Sequence, residues 1–288
     1  MCDELTAEDN ARYLAGAMSR RTFGVGTAAA GVAMLLPRPA NALDVKGRDV
    51  SIQTPDGTAD AYFVAPSSGR HPAVLVWPDI FGLRPAFRQM ADRLAQSGYA
   101  VLTVNQFYRS TKAPFVEPGQ GFDAALGAKV GPWRAALTAD ATVRDGKAFV
   151  AYLDTLPEVD RKRGIGSTGY CMGGPMVMRT AAAAPGRVRA GATFHGGGLV
   201  ADGADSPHLL IPQMKAHYLI AIAENDDSRA PADKDTLRTA FAAAKLPAEI
   251  EVYKGTMHGW CPPDSKVYDQ AQADRAWARL LALFGGAL

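Results

Sequence analysis

One hexapeptide restricts the possible folds of this chain more than any other segment: Gly-Tyr-Cys-Met-Gly-Gly, residues 169–174. It lies between a segment that predicts a strand and one that predicts a helix, which is the setting of the nucleophile-elbow pattern G-x-Nu-x-G. The turn is so sharp that a Cβ at Gly169 or Gly173 would clash with the neighbouring strand or helix. Cys171 is therefore predicted to be a catalytic nucleophile, with an inert buried cysteine as the alternative.

The helix that begins at this turn also favours chemistry there. Its positive dipole end lies beside the sulfur of Cys171 and favours the thiolate form. The backbone amide of Met172 is expected to face an oxyanion that develops on the substrate, so we assign it to a predicted oxyanion hole.

From residue 50 onward, apolar segments bounded by turn residues alternate with segments of helical periodicity. This order is typical of an α/β domain with a mostly parallel sheet and helices on both faces, here with about eight strands. One domain is predicted over 43–288, in which the irregular segment 106–136 forms a lid or a pocket wall. Strands are predicted at 50–53, 59–65, 73–77, 99–104, 163–168, 188–194, 218–223 and 248–253, and helices at 87–95, 138–156, 173–184, 232–244 and 267–284.

The composition excludes several classes of function. The 288 residues are 48% hydrophobic and carry a net charge of only +2, so no nucleic-acid partner is expected. The three cysteines have no C-x-x-C spacing and the five histidines do not cluster, so we expect neither a metal site nor a cofactor. Cys261 is expected to be a buried free thiol, with pairing to another thiol as the alternative.

The first 42 residues are interpreted as an export signal. Ser19-Arg20-Arg21-Thr22-Phe23 precedes a moderately apolar run over 24–36, which is too short to act as a permanent membrane anchor. The order resembles a twin-arginine signal, and Ala40-Asn41-Ala42 predicts cleavage after Ala42. We therefore expect recognition by the twin-arginine export machinery and a periplasmic location. An N-terminal helix that contains two arginines by chance is the alternative.

An acid and a base follow the predicted nucleophile in the order that α/β-hydrolases use. Asp226 comes after the predicted strand 218–223 and is the preferred acid, with its neighbour Asp227 as a rival. His258 follows the strand 248–253 and is the predicted base. His195 ends a strand and is either a pocket residue or a structural one.

The elbow around Cys171, the segment Pro78-Asp79-Ile80-Phe81-Gly82 and the loops of Asp226 and His258 together resemble the dienelactone hydrolase family. The resemblance covers most of residues 50–288 and implies an α/β-hydrolase fold. It also implies a carboxylic ester hydrolase, similar to carboxymethylenebutenolidase, that opens small esters or lactones through a covalent acyl-enzyme.

The resemblance also implies roles for individual residues. Asp79 occupies the place of a family glutamate that holds the resting thiol, and the amide of Ile80 completes the oxyanion hole. A family arginine that binds a substrate carboxylate is replaced by Pro262, whereas Arg109 lies near the place of a second one. Asp79, Arg109, His195 and Trp260 are the predicted substrate-binding residues.

Two hypotheses follow for the chain as a whole. The first is a monomeric hydrolase of a small ester or lactone with a triad of cysteine, histidine and aspartate. The second is a non-catalytic protein of the same fold that uses Cys171 as a redox sensor or a ligand. The replacement at Pro262 and the shorter side chain at Asp79 leave room for the second.

Overall fold

The structure is a computed structural model that describes residues 4–21, 36–37, 39, 41–117 and 119–288. Its centre is an eight-stranded sheet in the order β1-β2-β4-β3-β5-β6-β7-β8. The strands are β1 (Val45–Thr54), β2 (Gly57–Pro66), β3 (Ala73–Trp77), β4 (Ala100–Val104), β5 (Ile165–Tyr170), β6 (Val188–Phe194), β7 (His217–Ala223) and β8 (Ala248–Tyr253).

The sheet is antiparallel at one edge and parallel elsewhere. β1 and β2 form a hairpin whose turn is centred on Pro55 and Asp56, and β2 pairs antiparallel with β4. All remaining neighbours, from β4 to β8, are parallel. The central strands β3, β4 and β5 are buried along their whole length, as expected for parallel strands covered on both faces. The predicted fold is confirmed: a mostly parallel sheet of eight strands in an α/β-hydrolase arrangement.

Helices cover both faces of this sheet. One hydrophobic cluster joins α2 and α8 to one face, and another joins α4, α5 and α7 to the opposite face. The helices are α1 (Glu4–Arg21), α2 (Pro85–Gln96), α3 (Ala124–Ala135), α4 (Ala139–Leu153), α5 (Gly173–Ala183), α6 (Glu224–Arg229), α7 (Asp233–Ala243) and α8 (Gln270–Ala287).

Two of these helices, α3 and α6, were not predicted from the sequence, and α1 was expected only as the alternative to an export signal. α3 contains two glycines and Pro132, which weaken the helical pattern, but the side chain of Asp123 caps its first turn. α6 has only six residues and replaces the loop that was predicted to carry the acid. α1 is a polar helix in the segment that we interpret as part of an export signal.

Most of the apolar run over 24–36, together with Ala40, lies outside the described residues. The predictions of a short apolar export segment and of cleavage after Ala42 therefore remain predictions. In the part of the chain that the structure describes, no helix combines the length and apolar character needed to cross a membrane.

The carboxyl ends of the parallel strands bring distant residues to one edge of the sheet. Cys171 follows β5, His195 follows β6, and Asp226 lies in the first turn after β7. Asp79 follows β3, and His258 lies in the loop after β8. This edge is where ligands bind in α/β folds of this kind.

Candidate active site

The turn between β5 and α5 gives Cys171 an unusual backbone conformation. Its φ is +53°, a left-handed value that a side-chain-bearing residue adopts only when the surroundings enforce it. A Cβ at Gly169 would lie 2.3 Å from the carbonyl oxygen of Gly173, and a Cβ at Gly173 would lie 2.3 Å from that of Trp77. Only glycine fits at both positions, so the hexapeptide folds into a tight corner with Cys171 at its tip.

His258 lies between Cys171 and Asp226. Its Nδ1 is 2.8 Å from Oδ2 of Asp226, and its ring also hydrogen-bonds to Cys171. The backbone amide of His258 donates to Oδ1 of Asn225 at 2.8 Å, which fixes the loop against α6. Both the cysteine and the histidine are only 1% exposed, so the contacts form away from bulk water.

The surroundings of His258 stabilise its protonated form. Burial alone would lower the pKa of the ring, but the interaction with Cys171 and then the charge of Asp226 oppose it. Hydrogen bonds to both partners act in the same direction, and together they raise the pKa of His258 to about 10. A ring with these properties suits proton exchange with a cysteine nucleophile.

The structure separates the two neighbouring acids that the sequence left open. Whereas Asp226 contacts the ring of His258, the carboxylate of Asp227 accepts a hydrogen bond from Nζ of Lys234 at 2.6 Å. Adjacent residues on a helix point about 100° apart. Asp227 therefore pairs with α7 and not with the imidazole.

Ile80 and Met172, the predicted oxyanion-hole residues, lie on two segments that meet beside Cys171. Met172 is the residue before α5, and Ile80 lies in the loop after β3. This loop is held by Asp79, whose Oδ1 accepts from the Phe81 amide at 2.9 Å. The same loop is also held through the backbone oxygen of Asp79, which accepts from Nε2 of Gln106 at 2.7 Å.

Asp79 belongs to a buried ion-pair cluster that the sequence did not predict. Its two carboxylate oxygens accept hydrogen bonds from Arg84 at 2.6 and 3.0 Å, and Arg84 makes two more to Asp264. Burial raises the pKa of Asp79, whereas the Arg84 guanidinium lowers it and the nearby Cys171 raises it further. Asp264 is 180 residues from Arg84 along the chain, so no local sequence signal connects them.

A cavity of about 260 Å³ opens beside Cys171, His195 and His258. Its walls include α1, residues 116–117 and 119–122, and the segment 264–267. Part of the predicted lid or pocket wall therefore lies at this cavity. Its apolar lining includes Leu14, Phe81, Val116, Phe122 and Val267.

α1 reaches the predicted catalytic residues directly. Nδ2 of Asn10 donates to the backbone oxygen of His258 at 3.1 Å. Arg229, at the end of α6, donates to Oγ1 of Thr6 at 3.0 Å and also pairs with Asp9. Nothing in the sequence pattern indicated that the N-terminal segment would form one wall of the cavity.

Two of the predicted substrate-binding residues lie elsewhere. Arg109 pairs with both oxygens of Asp145, at 2.7 and 2.8 Å, and with Asp56, so its guanidinium is not turned to the cavity. Trp260 is fully buried and stacks on Tyr253 with ring centroids 4.7 Å apart. The carboxylates of Asp56 and Asp145 hold the guanidinium of Arg109, and apolar core residues enclose the indole of Trp260.

Cys261 is buried near these aromatic rings and forms no disulfide with Cys171, the other cysteine among the described residues. Burial raises the pKa of its thiol well above the usual value, and the charge of Asp269 adds to the effect. Cys261 is therefore a poor nucleophile in comparison with a thiol held at the tip of a helix.

Comparisons with known proteins agree with this architecture. Residues 59–288 match the model of the dienelactone hydrolase family. A carboxymethylenebutenolidase of Rhodococcus opacus is 30% identical over 248 residues, which is 82% of this chain and 90% of the relative. A carboxymethylenebutenolidase of Pseudomonas putida is 25% identical over 233 residues, 81% of this chain and 93% of the relative.

A solved structure shares the fold over nearly its full length. It is a dienelactone hydrolase-like promiscuous phosphotriesterase from metagenomic libraries, and it superposes with a TM-score of 0.69 at 22% identity. The superposition covers 84% of this chain and 98% of that protein.

Proposed function

We propose that this chain, which belongs to the dienelactone hydrolase family, cleaves small esters or lactones through Cys171, His258 and Asp226. The family and its relatives make the chain a carboxylic ester hydrolase. The observation that supports this proposal is the hydrogen-bonded series from the cysteine through the imidazole to the carboxylate. The three groups come from three separate strand ends; Cys171 and His258 line the cavity, and Asp226 contacts the imidazole of His258.

The first half of the proposed reaction forms an acyl-enzyme. The sulfur of Cys171, its proton held by His258, attacks the substrate carbonyl carbon and forms a C–S bond. The carbonyl oxygen becomes an oxyanion, which the amides of Ile80 and Met172 stabilise. The C–O bond to the leaving group then breaks, and the leaving oxygen takes the proton from His258.

The second half returns the enzyme to its starting state. A water molecule gives a proton to His258 and attacks the carbonyl carbon of the thioester. The C–S bond breaks, the carboxylic acid leaves, and the proton returns to the pair formed by Cys171 and His258. Asp226 holds the ring in one tautomer and stabilises its protonated form in both halves.

The charges around the cavity favour a neutral acyl group. Among the described residues, Arg84 is the one arginine that lines the cavity, and its guanidinium is already bound by Asp79 and Asp264. Arg109 is bound by other carboxylates outside the cavity. A substrate carboxylate would thus meet no unpaired guanidinium. The lining also includes Lys266, but the three lining carboxylates, Asp79, Glu117 and Asp264, outnumber the two basic side chains, so we propose that neutral esters and lactones react faster than acidic ones.

The central experiment compares two single-cysteine replacements. In Cys171→Ala we expect the turnover of p-nitrophenyl acetate and of a neutral lactone to fall to the background rate. Intact-protein mass spectrometry of the wild type after rapid acid quench should detect one added acetyl group. Cys261→Ala is the matched control, because that thiol is buried in the core away from the cavity.

Either of two results would contradict the proposal. One is a Cys171→Ala variant that retains wild-type turnover. The other is a wild-type protein whose thiol reacts with peroxide but never carries an acyl group, as expected for a sensor.

We also propose that residues 1–42 direct export as a twin-arginine-type signal, with the mature enzyme in the periplasm. The support is the sequence alone, Ser19-Arg20-Arg21-Thr22-Phe23 followed by a short apolar run. N-terminal sequencing of protein from the periplasmic fraction should give Leu43 as the first residue. An intact Met1 on that protein would refute cleavage.

A further inference from the structure

His195 is a buried histidine at the cavity for which the proposed reaction has no role. It follows β6, is 1% exposed, and lines the cavity together with Cys171 and His258. Neither of its ring nitrogens has a hydrogen-bond partner among the described residues. A buried polar group without a partner is destabilising, so its presence calls for an explanation such as a bound ligand or a catalytic role.

The backbone turns this side chain toward the reacting groups. The φ of His195 is +42°, a left-handed value that is strained for a non-glycine residue. Its amide donates to the carbonyl oxygen of Ala221 at 2.8 Å, which anchors the strained residue to β7. The imidazole then lies edge-on to that of His258, with ring centroids 4.9 Å apart.

The ring offers one donor and one acceptor at neutral pH. Burial, followed by the charge of His258, lowers the pKa of His195 well below its usual value, so the ring is neutral. A neutral imidazole has one N–H and one lone-pair nitrogen. Neither nitrogen has a hydrogen-bond partner in the part of the chain that the structure describes, so the ring can bind a hydroxyl or a water in either direction.

The order of the strands places His195 on one particular side of the nucleophile. β5, which carries Cys171, lies between β3 and β6. The proposed oxyanion donor Ile80 follows β3, so the carbonyl oxygen of a bound substrate points toward that side. The leaving group and the incoming water therefore occupy the opposite side, next to His258 and to the end of β6.

We propose that His195 positions the oxygen atom that exchanges a proton with His258. This atom is the leaving-group oxygen while the acyl-enzyme forms and the water oxygen while it is hydrolysed. By microscopic reversibility the two atoms occupy the same place, because each bonds to the acyl carbon and each exchanges its proton with the same imidazole. The inference rests on the proposed acyl-enzyme function and adds a positioning residue to it.

The test uses the full chain and a comparison of three side chains at 195. His195→Phe has a ring of similar size without polar atoms, whereas His195→Gln has a donor and an acceptor at the end of its side chain. Both variants must adopt the same left-handed backbone, so the comparison isolates the polar atoms. His195→Leu is a second apolar replacement if the phenylalanine variant does not fold.

Rapid quench with intact-protein mass spectrometry separates acetylation of the enzyme from loss of the acetyl group. With p-nitrophenyl acetate, the leaving group departs as a stable anion and needs little help, so acetylation in His195→Phe should change less than threefold. Deacetylation should fall at least about tenfold, which corresponds to about 1.4 kcal/mol. With ethyl acetate, whose leaving oxygen must be protonated, kcat/KM should fall by a similar factor. His195→Gln should recover both rates to within about threefold of the wild type.

The outcomes distinguish this inference from the proposed function. A wild-type enzyme that never carries an acetyl group would overturn the proposed function itself. If the wild type is acetylated but both apolar variants deacetylate at the wild-type rate, only the role of His195 is overturned. Equal losses in acetylation and deacetylation, without recovery in the glutamine variant, would also overturn it, because they indicate a structural role.

Discussion

Replacement of Gly173 by alanine should damage activity and stability together. A Cβ at this position would lie 2.3 Å from the carbonyl oxygen of Trp77 and 2.9 Å from that of Pro78. Both are backbone atoms at the end of β3, so no side chain can rotate away. To restore even a 3.0 Å contact, the elbow and the end of β3 must separate by about 0.7 Å.

The size of the effect follows from this displacement. The end of β3 leads into Ile80, so the separation moves the proposed oxyanion donor away from Cys171. A misplacement of about 1 Å at a reacting centre lowers the rate about 100-fold, so kcat/KM should fall about 10- to 100-fold. Overpacking of a rigid site costs about 1–3 kcal/mol, which lowers Tm by about 2–12 °C in a chain of this size.

The assay measures p-nitrophenyl acetate hydrolysis and thermal unfolding of Gly173→Ala beside Gly285→Ala. Gly285 lies in α8, where an added Cβ meets nothing within 4 Å. The control should therefore retain the wild-type kcat/KM and gain up to about 1 kcal/mol, because alanine is the better helix former. A Gly173→Ala variant with unchanged rate and Tm would refute the steric reasoning.

Three further predictions concern charged groups. Asp226→Asn should lower kcat at least about 100-fold because it removes the acceptor for the imidazole, whereas Asp227→Asn should change kcat less than threefold; the opposite ranking would reverse the assignment. Arg84→Met should destabilise the protein to urea by about 3–5 kcal/mol because Asp79 stays buried without its partner, and an unchanged midpoint would contradict this. Hydrogen bonds from Arg144 and Arg109 lower the pKa of Asp56 from 3.8 to about 2. The stability that Asp56 contributes is therefore fully present above pH 3.8 and is lost as the pH falls toward 2. Urea unfolding at pH 5 and pH 3 should therefore show a smaller difference between wild type and Asp56→Asn at the lower pH, and a constant difference would rule the linkage out.

The sheet was largely predictable because each of its strands has a local signature. The predicted strands 73–77, 188–194 and 248–253 coincide with β3, β6 and β8. β8 lies at the far edge of the sheet and alternates polar and apolar residues, whereas β3 is covered on both faces and is a continuous apolar run. The hairpin was predicted at its turn but begins five residues earlier, at Val45, because the polar residues of an exposed edge strand show no such run.

Those site residues that follow from the order of elements along the chain were predictable. Those that depend on the direction in which a side chain points were not. The order of a nucleophile, an acid and a base after successive strands pointed to Cys171 and His258. The choice between Asp226 and Asp227 depended on the rotation of a six-residue helix, α6, which a sequence of neighbouring acids does not encode.

The arginines show the same limit from another direction. Arg109 was expected at the substrate because of a resemblance, but carboxylates 36 and 53 residues away along the chain bind it instead. Arg84 was not expected there, yet among the described arginines it is the one that lines the cavity. Tertiary packing decides which arginine pairs with which carboxylate, and the local sequence around each residue does not indicate that pairing.

The contact between α1 and the loop of His258 bears on every assay of this enzyme. Thr6, Asn10 and Leu14 form part of the cavity wall, although they precede the proposed cleavage point after Ala42. Cleavage after Ala42 would remove α1 from the cavity wall, so the cavity would be more open in the processed protein than in the full chain. A comparison of the acyl-chain lengths that the full chain and the chain beginning at Leu43 hydrolyse best would measure that difference.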